Sequence, residues 1–232
     1  MSRTLIIIPS YNEQDNIASL IDTLFSLSLN ADILIVDDSS DGTADVVRKK
    51  QVGEPRLFLN KRAVKSGRGS AVLEGFCFAL ARDYQRIVEM DADLSHDPKE
   101  LPSLMAVSGP NTLVIGSRYL KDSKIRNWPL ARTVFSRLAN VYAEAVLGIG
   151  IHDYTNGYRV YGREALEKLE PEKIESSGHI VLSEIAYQLF CKGVTFREVP
   201  TVFVNRLRGS STFSISLIVE AFLSVLRIRF RR

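Results

Sequence analysis

The sequence predicts an α/β fold with a mostly parallel central sheet and helices on both of its faces. Short runs of β-branched and aliphatic residues alternate with segments of helical periodicity through the first half of the chain. These runs are apolar throughout, which is typical of strands covered on both faces. The chain has 232 residues, of which 45% are hydrophobic and 25% charged, so it can bury a sizeable core.

Each predicted element follows from one of these patterns. Strands are expected at residues 5–8, 33–36, 57–59, 86–89 and 113–115, separated by helical segments at 17–24, 44–47 and about 70–81. Beyond Pro129 the pattern is helical over 131–147 and then rich in loops, with one further strand at 199–204. We expect a single domain over 1–232 without a linker.

Charge and hydropathy exclude several classes of protein. The formal charge of +3 is too small to demand nucleic acid, and no zinc-finger or RNP signature is present, so no nucleic-acid partner is expected. The apolar run at 5–8 is too short for a signal peptide, and the 215–226 segment contains Glu220 and ends in arginines, so no transmembrane helix is predicted. Cys77 and Cys191 are expected to be reduced core residues of a cytoplasmic protein.

Polar clusters follow four of the predicted strands, at the edge where ligands gather in open parallel sheets. Asp91 and Asp93 stand two residues apart, so in extended backbone they project the same way and can share one cation. Mg²⁺ or Mn²⁺ binds through one or two carboxylates plus substrate phosphates. The alternative for an isolated Asp-x-Asp is a loop with helix-capping acids.

Two further clusters are suited to a nucleotide. Asp38 follows an apolar strand and is expected to accept hydrogen bonds from a ribose or base edge, while Asp41 to Thr43 form the turn into the next helix. The glycine-rich loop at 65–70, which includes Lys65, could present N–H groups to an anion. It has neither the GxxxxGK nor the GxGxxG pattern, so ATP hydrolysis and NAD redox chemistry lose support. The three histidines are scattered and are interpreted as hydrogen-bonded loop or surface residues.

Six ordered motifs carry a resemblance to a known family. They are Pro9-Ser10-Tyr11-Asn12-Glu13, Val36 to Thr43, Lys65 to Ala71, Asp91 to Pro98, Gly116-Ser117-Arg118-Tyr119 and Asn156-Gly157-Tyr158-Arg159, followed by Arg206, Gly209 and Ser211. From Leu5 to about Phe213 the chain resembles the family 2 GT-A glycosyltransferases, and most closely the dolichyl-phosphate (polyprenyl-phosphate) mannose synthase group. The resemblance implies the GT-A nucleotide-diphospho-sugar transferase fold. It divides the chain into a nucleotide-sugar half (about 1–118), an acceptor half (about 119–214) and an amphipathic C-terminal helix (about 215–232).

The resemblance also implies roles for single residues. Nucleotide-sugar-binding residues would be Pro9, Tyr11, Glu13, Val36, Asp38, Lys65, Asp91, Ala92, Asp93, Arg118 and Arg206. The metal would lie at Asp91, Asp93 and Ser95, and catalysis would rest on Asp93, Arg118 and Arg206. Arg159, Glu184 and Ser211 would lie at the acceptor. The chain departs from the family's pattern at Arg68, where relatives usually carry Leu, and at Thr212, where they carry a Lys that Arg208 could replace.

The implied reaction moves a hexose, mannose from GDP-mannose, to a polyprenyl or dolichyl monophosphate at the cytoplasmic face of a membrane. A lipid monophosphate already arrives as an oxyanion at neutral pH, so no strong general base is required, and single displacement from an α-linked donor gives a β-linked product. The C-terminal helix either lies on anionic lipid or packs on the core; a separate membrane-anchoring subunit is a further possible partner. The alternatives are a UDP-sugar-dependent transferase acting on another lipid or a saccharide, and a non-catalytic membrane-associated scaffold.

Overall fold

A computed structural model describes residues 3–176, 178, 180–205 and 215–231 of the chain. Its main sheet contains seven strands: β1 (Thr4–Ser10), β2 (Ala31–Asp37), β3 (Leu57–Lys61), β4 (Arg86–Glu89), β5 (Thr112–Ser117), β7 (Arg159–Gly162) and β8 (Thr195–Pro200). Their order is β3-β2-β1-β4-β7-β5-β8. Every neighbouring pair is parallel except those of β7, which runs antiparallel to both β4 and β5. A mostly parallel sheet is therefore confirmed.

The described helices are α1 (Ile17–Ser26), α2 (Thr43–Gln51), α3 (Gly67–Leu80), α4 (Leu101–Ala106), α5 (Leu130–Leu147), α6 (Arg163–Leu166), α7 (Ile180–Cys191) and α8 (Ile215–Phe230). Successive residues of β1 point to opposite faces of the sheet and join different cores. Leu5 and Ile7 pack with α3, α5, α7 and α8, while Ile6 and Ile8 pack with α1 and α4. Helices thus cover both faces, as the apolar strands predicted.

The close approach of α3 to β1 depends on a glycine. A Cβ atom at Gly75 would lie 2.5 Å from Cγ2 of Ile7, which is inside van der Waals contact. The glycine therefore lets α3 lie directly on the first strand. Because α3 begins at Gly67, this packing also fixes where the glycine-rich loop meets the ends of β1 and β2.

The second half of the chain differs from the sequence prediction. The strand expected at 199–204 is two strands: β8 at the edge of the main sheet and β9 (Val202–Val204), which pairs in parallel with β6 (Lys124–Arg126) in a small second sheet. Strands β6 and β7 were not predicted. Strands β7 and β8 join the same sheet as the first half, so the predicted halves share one sheet.

The predicted burial of the two cysteines is wrong. Cys77 and Cys191 are free thiols, but each lies on the outward face of its helix and is exposed. Their apolar sequence neighbours take the inward positions, as Phe76 does beside Cys77. Helical periodicity leaves one face outward even in an apolar segment.

Helix α8 packs on the protein through its described side chains. Val225 and Ile228 are buried, and the ring of Phe222 lies 4.4 Å from that of Tyr142 on α5, centroid to centroid. This contact supports the core-packed alternative for the C-terminal helix. In the described part of the chain, no helix is both long enough and apolar enough to cross a bilayer.

Candidate active site

A cleft of about 290 Å³ opens at the carboxyl ends of β1, β2 and β4, where parallel strands usually present their ligands. It brings together eight residues that the sequence assigned to the nucleotide sugar. Its lining is Pro9, Ser10, Tyr11, Glu13, Asp38, Lys65, Gly67, Arg68, Ala71, Asp91, Ala92 and Asp93. Val36 does not line the cleft: it is buried in β2, where it pairs with Pro9 of β1.

An aromatic ring and a cation stand at one side of the cleft. Tyr11 is 45% exposed, and the Nζ atom of Lys65 lies 3.5 Å from the centroid of its ring. Asn12 has a φ of 56°, in the left-handed region that Asn tolerates, and this turn carries Tyr11 and Glu13 past the end of β1. A flat ring beside an ammonium group is suited to a base or sugar next to phosphate.

Asp37 and Asp38 follow each other at the end of β2 but have different surroundings. Asp37 is fully buried and accepts hydrogen bonds from Ser10 Oγ at 2.6 Å and Lys61 Nζ at 2.9 Å. Burial alone would raise its pKa, but bonds from Ser10, Ser39 and Lys61 outweigh it and hold the pKa below the ordinary value. Asp37 therefore acts as a structural anion.

Asp38 lines the cleft and anchors the glycine-rich loop. Arg62 Nε donates to its Oδ1 at 2.6 Å, and the N–H groups of Ser66 and Gly67 donate to its Oδ2 at 3.2 Å each. Two loop N–H groups that the sequence assigned to an anion are thus directed at Asp38. Arg62 was missed by sequence reasoning, since it lies in no motif.

The acidic pair at the end of β4 is associated with an arginine. Arg68 Nε donates to Asp91 Oδ1 at 2.8 Å, its Nη2 lies 2.8 Å from the same oxygen, and its Nη1 lies 2.8 Å from Oε1 of the fully buried Glu89. Burial lowers the pKa of Arg68, but the negative charges of Asp91 and Glu89 raise it by a larger amount. The net pKa is above the ordinary value, so the guanidinium stays charged. The sequence placed Arg68 in the glycine-rich loop and marked it as a departure from the family's pattern, but it did not predict the contact with Asp91.

A buried histidine supports the backbone of Asp91. The Asp91 N–H donates to His96 Nδ1 at 3.2 Å, so Nε2 carries the ring proton and donates to Asn156 Oδ1 at 2.8 Å. The His96 ring stacks on Tyr158, with centroids 4.9 Å apart and planes 9° apart. His96 lies in the loop after β4 with both ring nitrogens hydrogen-bonded, as predicted, and contacts from a distant segment bury it.

The donor atoms beside Asp93 fit a hard divalent cation. Asp93 Oδ1 accepts from the Ser95 N–H at 3.1 Å, and Ser95 Oγ is buried with no hydrogen-bond partner among the described residues. Within the described part of the chain, no group of three His, Cys, Asp or Glu side chains could hold a metal alone. Mg²⁺ and Mn²⁺ are commonly bound by one or two carboxylate or hydroxyl oxygens of the protein, while substrate phosphates fill the remaining coordination positions.

Arg118 is buried outside the lining of the cleft. Its Nε and Nη2 donate to the two carboxylate oxygens of Asp153, each at 2.7 Å, and Nη2 also donates to Thr155 Oγ1 at 2.7 Å. Its Cζ atom lies 5.5 Å from the ring centroid of Trp128 and 5.4 Å from that of Phe203. Neither Asp153 nor these rings were singled out from the sequence.

Two of the residues assigned to the acceptor, Arg159 and Glu184, are described by the structure, and neither lines the cleft. Arg159 is fully buried, and its guanidinium donates to the carbonyl oxygens of Asn156, Leu182 and Tyr154. Glu184 accepts from the Ser176 N–H at 2.7 Å and pairs with Arg231 at 2.6 Å. These contacts favour structural roles for both side chains. Arg206, Arg208, Ser211 and Thr212 lie outside the described residues.

An exposed apolar stripe runs along α5, which the sequence patterns did not single out. Its members recur every three or four residues and are 49–78% exposed: Leu130, Val134, Leu138 and Val141. Helix α5 begins two residues after Trp128. Tyr119, the residue after Arg118, donates a hydrogen bond from its OH to Ser136 Oγ on this helix at 2.6 Å. A helix face of this kind is typical of an interaction surface.

The chain is similar in sequence to a known protein family and to individual known proteins. Residues 5–170 match the family described as glycosyl transferase family 2. The chain is 42% identical over 226 residues to polyprenol monophosphomannose synthase of Mycolicibacterium smegmatis, covering 96% of this chain and 85% of that protein. It is 36% identical over 226 residues to undecaprenyl-phosphate mannosyltransferase of Micrococcus luteus, covering 97% and 93%.

Solved structures with low sequence identity share the fold. Glucosyl-3-phosphoglycerate synthase of Mycobacterium tuberculosis, in complex with Mn²⁺, UDP and glucosyl-3-phosphoglycerate, superposes with a TM-score of 0.70 at 17% identity. The superposition covers 98% of this chain and 78% of that one. At this identity the likeness concerns the fold alone.

Proposed function

The chain belongs to glycosyl transferase family 2 and is a glycosyltransferase, and from this we propose that it transfers mannose from GDP-mannose to a polyprenyl monophosphate. Membership of the family and the GT-A fold, both inferred from the ordered motifs, are confirmed. The observation that carries the proposal is the cleft in which Asp91 and Asp93 meet Tyr11, Asp38 and Lys65. The names of the two mannosyl-transferring relatives support the sugar and the acceptor class.

The donor would lie across the ends of β1, β2 and β4. Tyr11, Glu13 and Asp38 would hold the nucleoside, with Lys65 close to the diphosphate. Asp91, Asp93 and Ser95 would hold Mg²⁺ or Mn²⁺, which when bound offsets the negative charge that develops on the leaving diphosphate. The structurally similar synthase is found in complex with Mn²⁺ together with UDP, which supports a divalent cation beside a nucleotide in this chain.

The lipid phosphate supplies its own nucleophile. A phosphate oxygen of the acceptor bonds to the anomeric carbon, the bond from that carbon to the donor diphosphate breaks, and GDP leaves with the electron pair. The acceptor oxygen carries no proton at neutral pH, so no general base has to remove one. His96, whose two ring nitrogens are already hydrogen-bonded within the protein, accords with such a site. Attack opposite the leaving group inverts the anomeric centre and gives a β-linked product.

The α5 stripe offers a route for the lipid acceptor. We propose that Leu130, Val134, Leu138 and Val141 contact a bilayer surface that contains anionic lipid. Exposed basic residues accompany the stripe, at Lys121, Lys124, Arg126 and Arg137. Because α5 begins beside Trp128, which packs on Arg118, a lipid phosphate at this surface would approach the buried arginine. Arg118 and, from outside the described residues, Arg206 would be its ligands.

The test is a transfer assay with defined components. The purified chain is given radiolabelled GDP-mannose or UDP-glucose, with or without polyprenyl phosphate, and label is measured in the lipid extract. We expect label only with GDP-mannose, lipid phosphate and Mg²⁺ or Mn²⁺. Transfer to a free hydroxyl with no effect of lipid phosphate would refute the proposal, as would nucleotide binding without turnover.

A further inference from the structure

Arg68 occupies one carboxylate oxygen of the proposed cation site. Two of its nitrogens lie 2.8 Å from Asp91 Oδ1, and the third lies 2.8 Å from Glu89 Oε1. Tyr161 OH donates to the other oxygen of Glu89 at 2.9 Å, so the guanidinium rests on a fixed buried acid. The arginine therefore places a permanent positive charge against the acidic pair.

The surrounding backbone leaves room for this guanidinium. A Cβ atom at Gly157 would lie 2.0 Å from Arg68 Nη2 and 2.9 Å from its Cζ. The side chain is only 16% exposed, yet the residue lines the cleft, so it has one face toward the donor. Gly157, on the segment before β7, is thus the position that permits the Arg68–Asp91 contact.

We propose that Arg68 is a built-in cation of the donor site, which competes with the divalent cation for Asp91 and makes cation binding depend on the nucleoside diphosphate. This inference rests on the proposed function of the cleft. A cation at Asp91 is repelled by the guanidinium beside it, so the protein without nucleotide binds the cation weakly. A bound diphosphate offsets that repulsion and offers Arg68 a second anionic partner. Nucleotide and cation then strengthen each other's binding by the same factor.

Mn²⁺ binding measures this competition without any turnover. The dissociation constant is obtained from the EPR signal of free Mn²⁺, with and without GDP. In Arg68→Leu we expect Mn²⁺ alone to bind about tenfold more tightly. This factor corresponds to the repulsion between a single and a double positive charge a few ångströms apart when water screens it fully. With GDP present, we expect Arg68→Leu to tighten Mn²⁺ binding by a smaller factor. GDP therefore improves the Mn²⁺ affinity of Arg68→Leu less than it improves that of the wild type. Arg68→Lys keeps the charge and stays near the wild type.

Arg68→Leu removes the cation that pairs with the buried Glu89 and could therefore misfold. A second variant tests the same contact without removing a charge. Gly157→Ala keeps every charge and places a Cβ atom 2.0 Å from Arg68 Nη2 and 3.3 Å from Asp91 Oδ1. It therefore displaces the end of the Arg68 side chain and presses only slightly on Asp91, so it should also tighten Mn²⁺ binding. Arg82→Leu is the matched control, because it removes the same charge just beyond the far end of α3. Circular dichroism establishes that each variant is folded.

The outcomes separate this inference from the proposed function. Tighter Mn²⁺ binding in Arg68→Leu and Gly157→Ala, but not in Arg82→Leu, supports the role of Arg68 even if no mannose is transferred. Folded variants that bind Mn²⁺ as the wild type does, with the same effect of GDP, overturn it even if transfer is observed. If Arg68→Leu does not fold, Gly157→Ala decides.

Discussion

The Arg118–Asp153 pair allows a quantitative prediction about stability. Both side chains are buried, at 6% and 0% exposure, and Asp153 also accepts from the Arg118 N–H at 3.0 Å and the Asn156 N–H at 3.1 Å. Burial alone would raise the pKa of Asp153, but Arg118 outweighs it and holds that pKa below the ordinary value. Asp153→Asn keeps the shape of the side chain and removes its charge, leaving a buried guanidinium without a counter-ion.

The expected cost is large because the charge left behind is buried. Removing one partner of a buried ion pair costs about 3–5 kcal/mol, whereas most exposed pairs contribute less than about 1 kcal/mol. For a chain of this length, such a loss lowers Tm by about 6–20 °C. The exposed Arg48–Asp45 pair, at 56% and 70% exposure, provides the matched control, and Asp45→Asn should cost only a few tenths of a kcal/mol.

Urea unfolding followed by circular dichroism measures both variants at pH 7. A loss below about 1 kcal/mol in Asp153→Asn, or a loss equal to that in Asp45→Asn, would refute the reasoning that Arg118 depends on its counter-ion. A second variant separates packing from charge. Arg118→Met combined with Asp153→Leu should recover part of the stability lost in Asp153→Asn, since no unpaired charge remains.

Three further predictions concern the cation site in the cleft, the buried Asp37 and the α5 stripe. Asp93→Asn should lower transfer at least about 100-fold while leaving the unfolding curve unchanged, because it removes the charge that would hold the cation; Asp122→Asn, an exposed acid outside the cleft, should retain activity. Asp37 has a folded pKa below its unfolded value of about 3.9, so its contribution to stability is complete above that pH and is lost as the pH falls through the folded pKa. Asp37→Asn should therefore flatten the decline of unfolding free energy below about pH 4, and an unchanged slope would contradict this network. Leu138→Glu should reduce sedimentation with anionic vesicles several-fold without changing Tm, and equal sedimentation would remove α5 from the proposed membrane surface.

The order of residues was sufficient for the class of fold and for most of the candidate cleft. Apolar runs identify strands covered on both faces, and parallel strands bring their carboxyl ends to one edge, so Tyr11, Asp38, Asp91 and Asp93 were expected to converge from separate segments. Local pattern carries this information because strand direction and side-chain alternation follow from the backbone itself.

The second half depended on contacts between distant residues. Strand β7 is short and inserts antiparallel between β4 and β5, a pairing that no local pattern specifies. Asp37 and Asp38 are alike in sequence, yet alternation buries one and directs the other to the cleft. The resemblance implied that Arg118 binds the nucleotide sugar and Arg159 the acceptor. In the fold, Asp153 binds the guanidinium of Arg118, and three carbonyl groups bind that of Arg159. A buried charged side chain must pair with a counter-charge or a carbonyl group. The available partners belong to distant segments that meet only in the folded chain, so the sequence alone does not identify them.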